Sequence, residues 1–124
     1  MKILKTSEPY YSQIESGKKI YDGRANDSAE KYWNMGLNES LIFQLVDEKG
    51  QALNKSLSAE IKSLRKYHSV EDACDSIDFK KLIPDANSVD DVVKAYSSFP
   101  GYPDRIKKYG FIVIELKGVK NEAS

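Results

Sequence analysis

The apolar positions of this chain follow two rhythms, alternation over strand-length runs and helical spacing over longer stretches, and the switches between them mark its elements. Residues 2–6 read as a short strand, with Ile3 and Leu4 as its apolar content. Ser7 can cap the helix that follows, and the first turn of that helix accepts Pro9. Tyr10, Tyr11 and Ile14 share a helical face that should pack against a sheet, and Gly17 ends the helix by taking the left-handed conformation. Residues 20–24 then run as a strand. Residues 25–40 are polar and aperiodic, with Asn26, Asn34, Gly36 and Asn38, and predict a long loop carrying the aromatic pair Tyr32 and Trp33.

A dense apolar run at 41–46 predicts a strand, and Asp-Glu-Lys-Gly at 47–50 predicts a hairpin turn with Gly50 at positive φ. Leu57, Ala59 and Ile61 then alternate with Ser58, Glu60 and Lys62, after which the pattern slips and Leu64 is the next apolar residue. The slip predicts a bulge near Ser63 that re-aims Arg65, Lys66, Tyr67 and His68. Ser69 with Asp72 and Ser88 with Asp91 fit capping boxes. The first opens a helix with Val70, Ala73, Cys74 and Ile77 on one stripe, the second a helix carrying Val92, Val93 and Tyr96 that Phe99-Pro100-Gly101 terminates. Residues 102–108, with Pro103, Arg105, Lys107 and Lys108, predict a loop. Residues 109–117 form the most apolar strand, with Ile112, Ile114 and Leu116 on one face and Phe111 and Val113 on the other, as expected of a central strand covered on both sides. Residues 119–124 have little to bury and are expected to fray. With no repeat and no internal linker, residues 1–118 read as a single α+β domain.

Composition narrows the function classes. Nineteen basic against nineteen acidic residues in 124 leave no net charge, which argues against unselective nucleic-acid binding and against adhesion to an anionic membrane. No run approaches the roughly 20 apolar residues of a membrane span. A lone cysteine, Cys74, and an apolar-poor start predict an intracellular, cytoplasmic protein, and a monomer is expected. His68 has no second histidine with which to share a metal, so neither metal nor cofactor is expected.

The chemistry concentrates in residues 17–24, Gly-Lys-Lys-Ile-Tyr-Asp-Gly-Arg, where two glycines, three cations and a carboxylate occupy one turn-to-strand passage. In the strand Ile20, Asp22 and Arg24 share a face and Lys19 lies just before it. If that face borders a cleft, Lys19, Asp22 and Arg24 converge on one ligand, with Asp22 holding the two cations. An exposed, solvated edge strand accounts for the same residue types. Trp33 suits either a stacking surface for a base or an anchor of its loop.

The motif Gly17-x-Lys19-x-x-Asp22-x-Arg24 resembles the G-x-K-x-x-E-x-R signature of the ASCH domains, the activating signal cointegrator homology group of the PUA-like superfamily. The resemblance extends loosely over most of the chain and implies a small β-barrel with peripheral helices and a cleft beside the motif. It implies action on RNA or on modified nucleosides. The first reading of these residues is a module that binds RNA, a nucleotide or a nucleoside, with Lys18, Lys19 and Arg24, joined by Arg65 and Lys66, on phosphate and Trp33 or tyrosines stacked on an unpaired base. The alternative is a hydrolase acting on RNA or on an acylated nucleoside such as acetylcytidine, with Asp22 as general base and Lys19 stabilising negative charge. In the amidohydrolase branch of that group a lysine, a threonine nucleophile and a distant glutamate cooperate. Only the lysine carries over, to Lys19; Asp22 stands at the threonine's place, and the glutamate's falls near Pro84 and Asp85. Asp22 beside Lys19 is expected to form an ion pair rather than to serve as a nucleophile.

Overall fold

The computed structural model describes residues 2–122. Five strands, β1 (Lys2–Thr6), β2 (Tyr21–Ala25), β3 (Ser40–Val46), β4 (Ala52–Tyr67) and β5 (Phe111–Asn121), form one sheet in the order β1-β3-β4-β5-β2. β1 lies parallel to β3, and every other pairing is antiparallel. The helices are α1 (Tyr10–Ser16), α2 (Val70–Ser76), α3 (Val89–Ser97) and α4 (Tyr102–Tyr109), with a 3-10 turn at Phe79–Lys81. The sheet curls into a half-barrel, so that its two edge strands come within reach of one side chain: Arg24 Nη1 on β2 donates to the Lys5 carbonyl on β1 at 3.2 Å. The α+β class and the small barrel ringed by helices are as expected. Among the described residues no helix is long and apolar enough to cross a membrane.

Two cores lie on opposite faces of the sheet. Ile112, Ile114 and Leu116 face the barrel core with Leu41, Phe43, Leu57 and Ile61, and α1 fills it with Tyr11 and Ile14. Phe111 and Val113 face the second core, built with Val70 and Ala73 of α2, Val92 and Tyr96 of α3, and Ile106 of α4. The doubly apolar pattern of this strand is thus the signature of a sheet covered on both sides. The register slips between Ile61 and Ser63, where the broken alternation predicts a bulge, and again between Ser58 and Glu60. Ser69 Oγ accepts from the Asp72 amide at 3.1 Å and Ser88 Oγ from the Asp91 amide at 3.2 Å, so both expected caps form.

Three expectations fail. Residues 102–108 are not a loop but most of α4. Gly101 turns the chain at φ 77°, Pro103 sits in the first turn where its missing N–H costs nothing, and Asp104 at the start with Lys107 and Lys108 at the end complement the helix dipole. Proline and three cations look like a loop unless their order along a helix is weighed. The expected frayed tail is partly a strand: β5 runs to Asn121, which pairs with Leu57, and only residues 123–124 of that stretch lie outside the described residues. Ser7 does not cap α1; Pro9 holds that position without a side-chain bond.

Candidate functional site

Gly17 takes φ 83° and ends α1, and the chain after it is held from two sides. The Lys19 amide donates to the Gln13 carbonyl at 3.0 Å, and the Ile20 amide to Lys81 of the 3-10 turn at 3.0 Å. The Ile20 carbonyl accepts from Leu116 of β5 at 2.9 Å. These bonds turn Lys19 inward, and its side chain is only 3% exposed. The ammonium donates to the Leu82 carbonyl and lies 5.4 Å from the centre of the Tyr10 ring. Burial lowers its pKa to about 8, with Asp22 pulling it up and Arg24 pushing it down.

Asp22 and Arg24 project from the same face of β2 and pair in a fork, Nε to Oδ2 at 2.7 Å and Nη2 to Oδ1 at 3.3 Å. Asp22 is 4% exposed. Burial pulls the guanidinium pKa down, but the charge and hydrogen bonds of Asp22 more than reverse this, and Arg24 stays ionised. The expected ion pair therefore joins Asp22 to Arg24, while the hydrogen bond of Lys19 goes to a carbonyl. The other guanidinium donors reach across the seam to the Lys5 carbonyl and, at 3.5 Å, to Thr6 Oγ1. Arg24 is mostly consumed by holding Asp22 and β1.

Aromatic residues wall the space above these groups. Phe99 meets Tyr10, Tyr96 and Tyr102 edge-on at 6.1, 5.9 and 5.2 Å, and Tyr96 and Tyr102 lie parallel at 6.4 Å. Burial, and then the charge of Asp22, raises the Tyr96 phenol well above its usual pKa, so it remains a neutral hydroxyl. Gly23 permits this arrangement. A Cβ there would stand 2.5 Å from the Tyr96 hydroxyl and from Phe111 Cζ. The result is a pocket of about 240 Å³ at the seam between β1 and β2, with Lys19, Asp22 and Arg24 on its floor and Lys5 among its lining residues. Lys19 uses one of its three donors on Leu82 and keeps two for a ligand. The pocket thus offers a desolvated cation, a carboxylate held by Arg24 and flat apolar walls.

No protein-family model matches the chain, and no curated protein does. Solved structures do. The hypothetical protein PH0355 is 28% identical with a TM-score of 0.72, over 94% of this chain and 98% of that one. Protein PF0455 from Pyrococcus furiosus is 20% identical with a TM-score of 0.65, over the whole of both chains. A point mutant of ZmASCH from Zymomonas mobilis is 12% identical with a TM-score of 0.57, over 96% of this chain and 70% of that one. The fold is ASCH-like.

Within this ASCH-like fold, Lys19, Asp22 and Arg24 line one pocket, and the other candidate residues lie elsewhere. Lys18 is exposed outside it. Arg65 and Lys66, adjacent on β4, project from opposite faces: Arg65 stands beside Tyr67 and Glu115, and Lys66 reaches Trp33 and Glu30. They cannot act as one grip. Trp33 is 36% exposed on the loop between β2 and β3, away from the pocket lining. Tyr10, Tyr96, Phe99 and Tyr102 were legible only as helix-face or loop aromatics, and nothing in their spacing announced that three segments would bring them together. Among the described residues no three His, Cys, Asp or Glu side chains are grouped to hold a metal ion.

Proposed function

We propose that the chain binds RNA or a nucleotide, with one base entering the pocket at the β1–β2 seam. The observation that supports this is the convergence of Lys19, Asp22 and Arg24 beneath the walls of Tyr10, Phe99 and Tyr102. A base packs against this aromatic wall, where stacking contributes about 1–3 kcal/mol. Lys19 donates to a base carbonyl or a phosphate oxygen, Asp22 offers its remaining lone pairs to an N–H, and Lys5 meets the phosphate at the mouth. Arg24 serves as the residue that fixes Asp22 and closes the seam rather than as a phosphate contact.

Titrating short single-stranded RNAs and nucleoside monophosphates into wild type and Lys19→Met tests this reading. Losing a charged hydrogen bond in a buried site should weaken binding roughly 10- to 100-fold. Equal affinities for the two proteins, or no binding at low salt, would sink the proposal. A hydrolase acting on RNA or on an acylated nucleoside is the second reading, favoured by the position of Lys19, a buried amine whose pKa near 8 suits proton transfer. Asp22, forked by Arg24, then orients rather than abstracts. Incubating the same samples with RNA and with acetylated cytidine decides: no product from wild type removes the enzyme reading, and product formation that survives Lys19→Met removes this site from it.

A further inference from the structure

β2 is an edge strand, and its register with β5 decides which of its backbone groups have partners. The Asn26 amide donates to the Gly110 carbonyl at 2.9 Å, and the Leu116 amide to the Ile20 carbonyl at 2.9 Å. Both bonds continue the register by one residue at its ends, so the alternate residues between them, Asp22 and Arg24, exchange bonds with Ile114 and Ile112. Tyr21, Gly23 and Ala25 therefore turn N–H and C=O away from β5, toward the open edge. Arg105 Nη2 bears this out by donating to the Ala25 carbonyl at 2.7 Å, and in doing so it closes that end of the edge. Of the three residues only Gly23 lines the pocket.

Gly23 is buried, yet among the described residues neither its N–H nor its C=O has a hydrogen-bond partner. A buried backbone donor and acceptor left open carry a desolvation cost that a ligand can remove. The two groups face the pocket side by side in the plane of the sheet, with the Asp22 side chain on one face of the strand and the Tyr96 hydroxyl against the other. Glycine adds no side chain to hinder close approach. Because Arg105 holds the next outward carbonyl, the opening in the pocket is one residue wide, too short for an added strand. It suits a single planar group with a donor beside an acceptor on its rim, and the Watson–Crick edge of a nucleobase is such a rim.

We infer that Gly23 is the specificity-determining residue of the pocket: its N–H and C=O hold the Watson–Crick edge of the bound base, which extends β2 in the plane of the sheet. The inference rests on the pocket reading and names the backbone groups that select the ligand. Wild-type protein suffices to test it. The tightest binder among the four nucleoside monophosphates, ranked by calorimetry, is compared with its analogue methylated where that edge carries its N–H: N3 of uridine, N1 of guanosine, N6 twice in adenosine or N4 twice in cytidine. The analogue should bind at least about tenfold more weakly, because it leaves the Gly23 carbonyl buried and unpaired. A methyl on the far rim, at C5 of a pyrimidine or C8 of a purine, should leave the affinity unchanged. Hydrogen exchange of the Gly23 amide, followed by NMR, should slow as the parent nucleotide saturates the pocket. An analogue that binds as tightly as its parent, or a Gly23 amide whose exchange is unmoved at saturation, overturns the role of Gly23; the pocket itself still stands if Lys19→Met weakens the parent. Binding by none of the four removes both.

Discussion

At the scale of single residues, the site turns on a lysine that folding takes out of water. Lys19 has a folded pKa of about 8 against 10.5 when exposed, and burial is the cause. Below pH 8 the amine is charged in both states, and the folded state carries the cost of burying that charge. Between pH 8 and 10.5 the folded protein releases the proton while the unfolded chain still holds it, so the contribution of Lys19 to stability rises with pH and levels off above 10.5. Denaturant unfolding of wild type and Lys19→Met should therefore diverge with pH, the wild type gaining about 2 kcal/mol relative to the variant between pH 7 and pH 9.5. Parallel pH profiles would mean that the amine is not desolvated. The sequence located this residue through Gly17 and the spacing that follows, but it could not reveal the Leu82 carbonyl. That group comes from a segment 63 residues away.

Among the elements, β2 is short and polar, yet two of its central residues are buried, Gly23 against Tyr96 of α3 and Asp22, on the opposite face, beneath Arg24. Gly23 is the point of closest approach, and its missing side chain admits the Tyr96 hydroxyl and the Phe111 ring. Gly23→Ala should cost about 1–3 kcal/mol through overpacking, a loss visible as a lower unfolding midpoint. An unchanged midpoint would mean that α3 does not seat where the aromatic wall requires. The strands, the two capped helices and the bulge at Ile61/Ser63 were legible because each depends on neighbours in the chain. α4 was not, since its proline and lysines favour a helix only when their positions relative to its ends are recognised.

For the whole molecule, the decisive feature is a sheet that curls without closing by backbone pairing. β1 and β2 are its edges, and the Arg24 side chain spans them. That juxtaposition depends on the parallel pairing of β1 with β3, across residues far apart in sequence, and no local pattern predicts it. The basic run at Arg65 and Lys66 illustrates the same limit in reverse. Adjacent in sequence, the two are sent to opposite faces by the strand, and only Lys66 joins the loop that carries Trp33.

The central claim is that a nucleotide occupies the seam pocket. Amide chemical-shift mapping by NMR during titration with a short single-stranded RNA tests it most directly. Binding at the seam should shift a contiguous set of amides at Lys5, Thr6, Lys19, Gly23 and Tyr102. Shifts confined to residues distant from this seam, or an unchanged spectrum at saturating RNA, would contradict it.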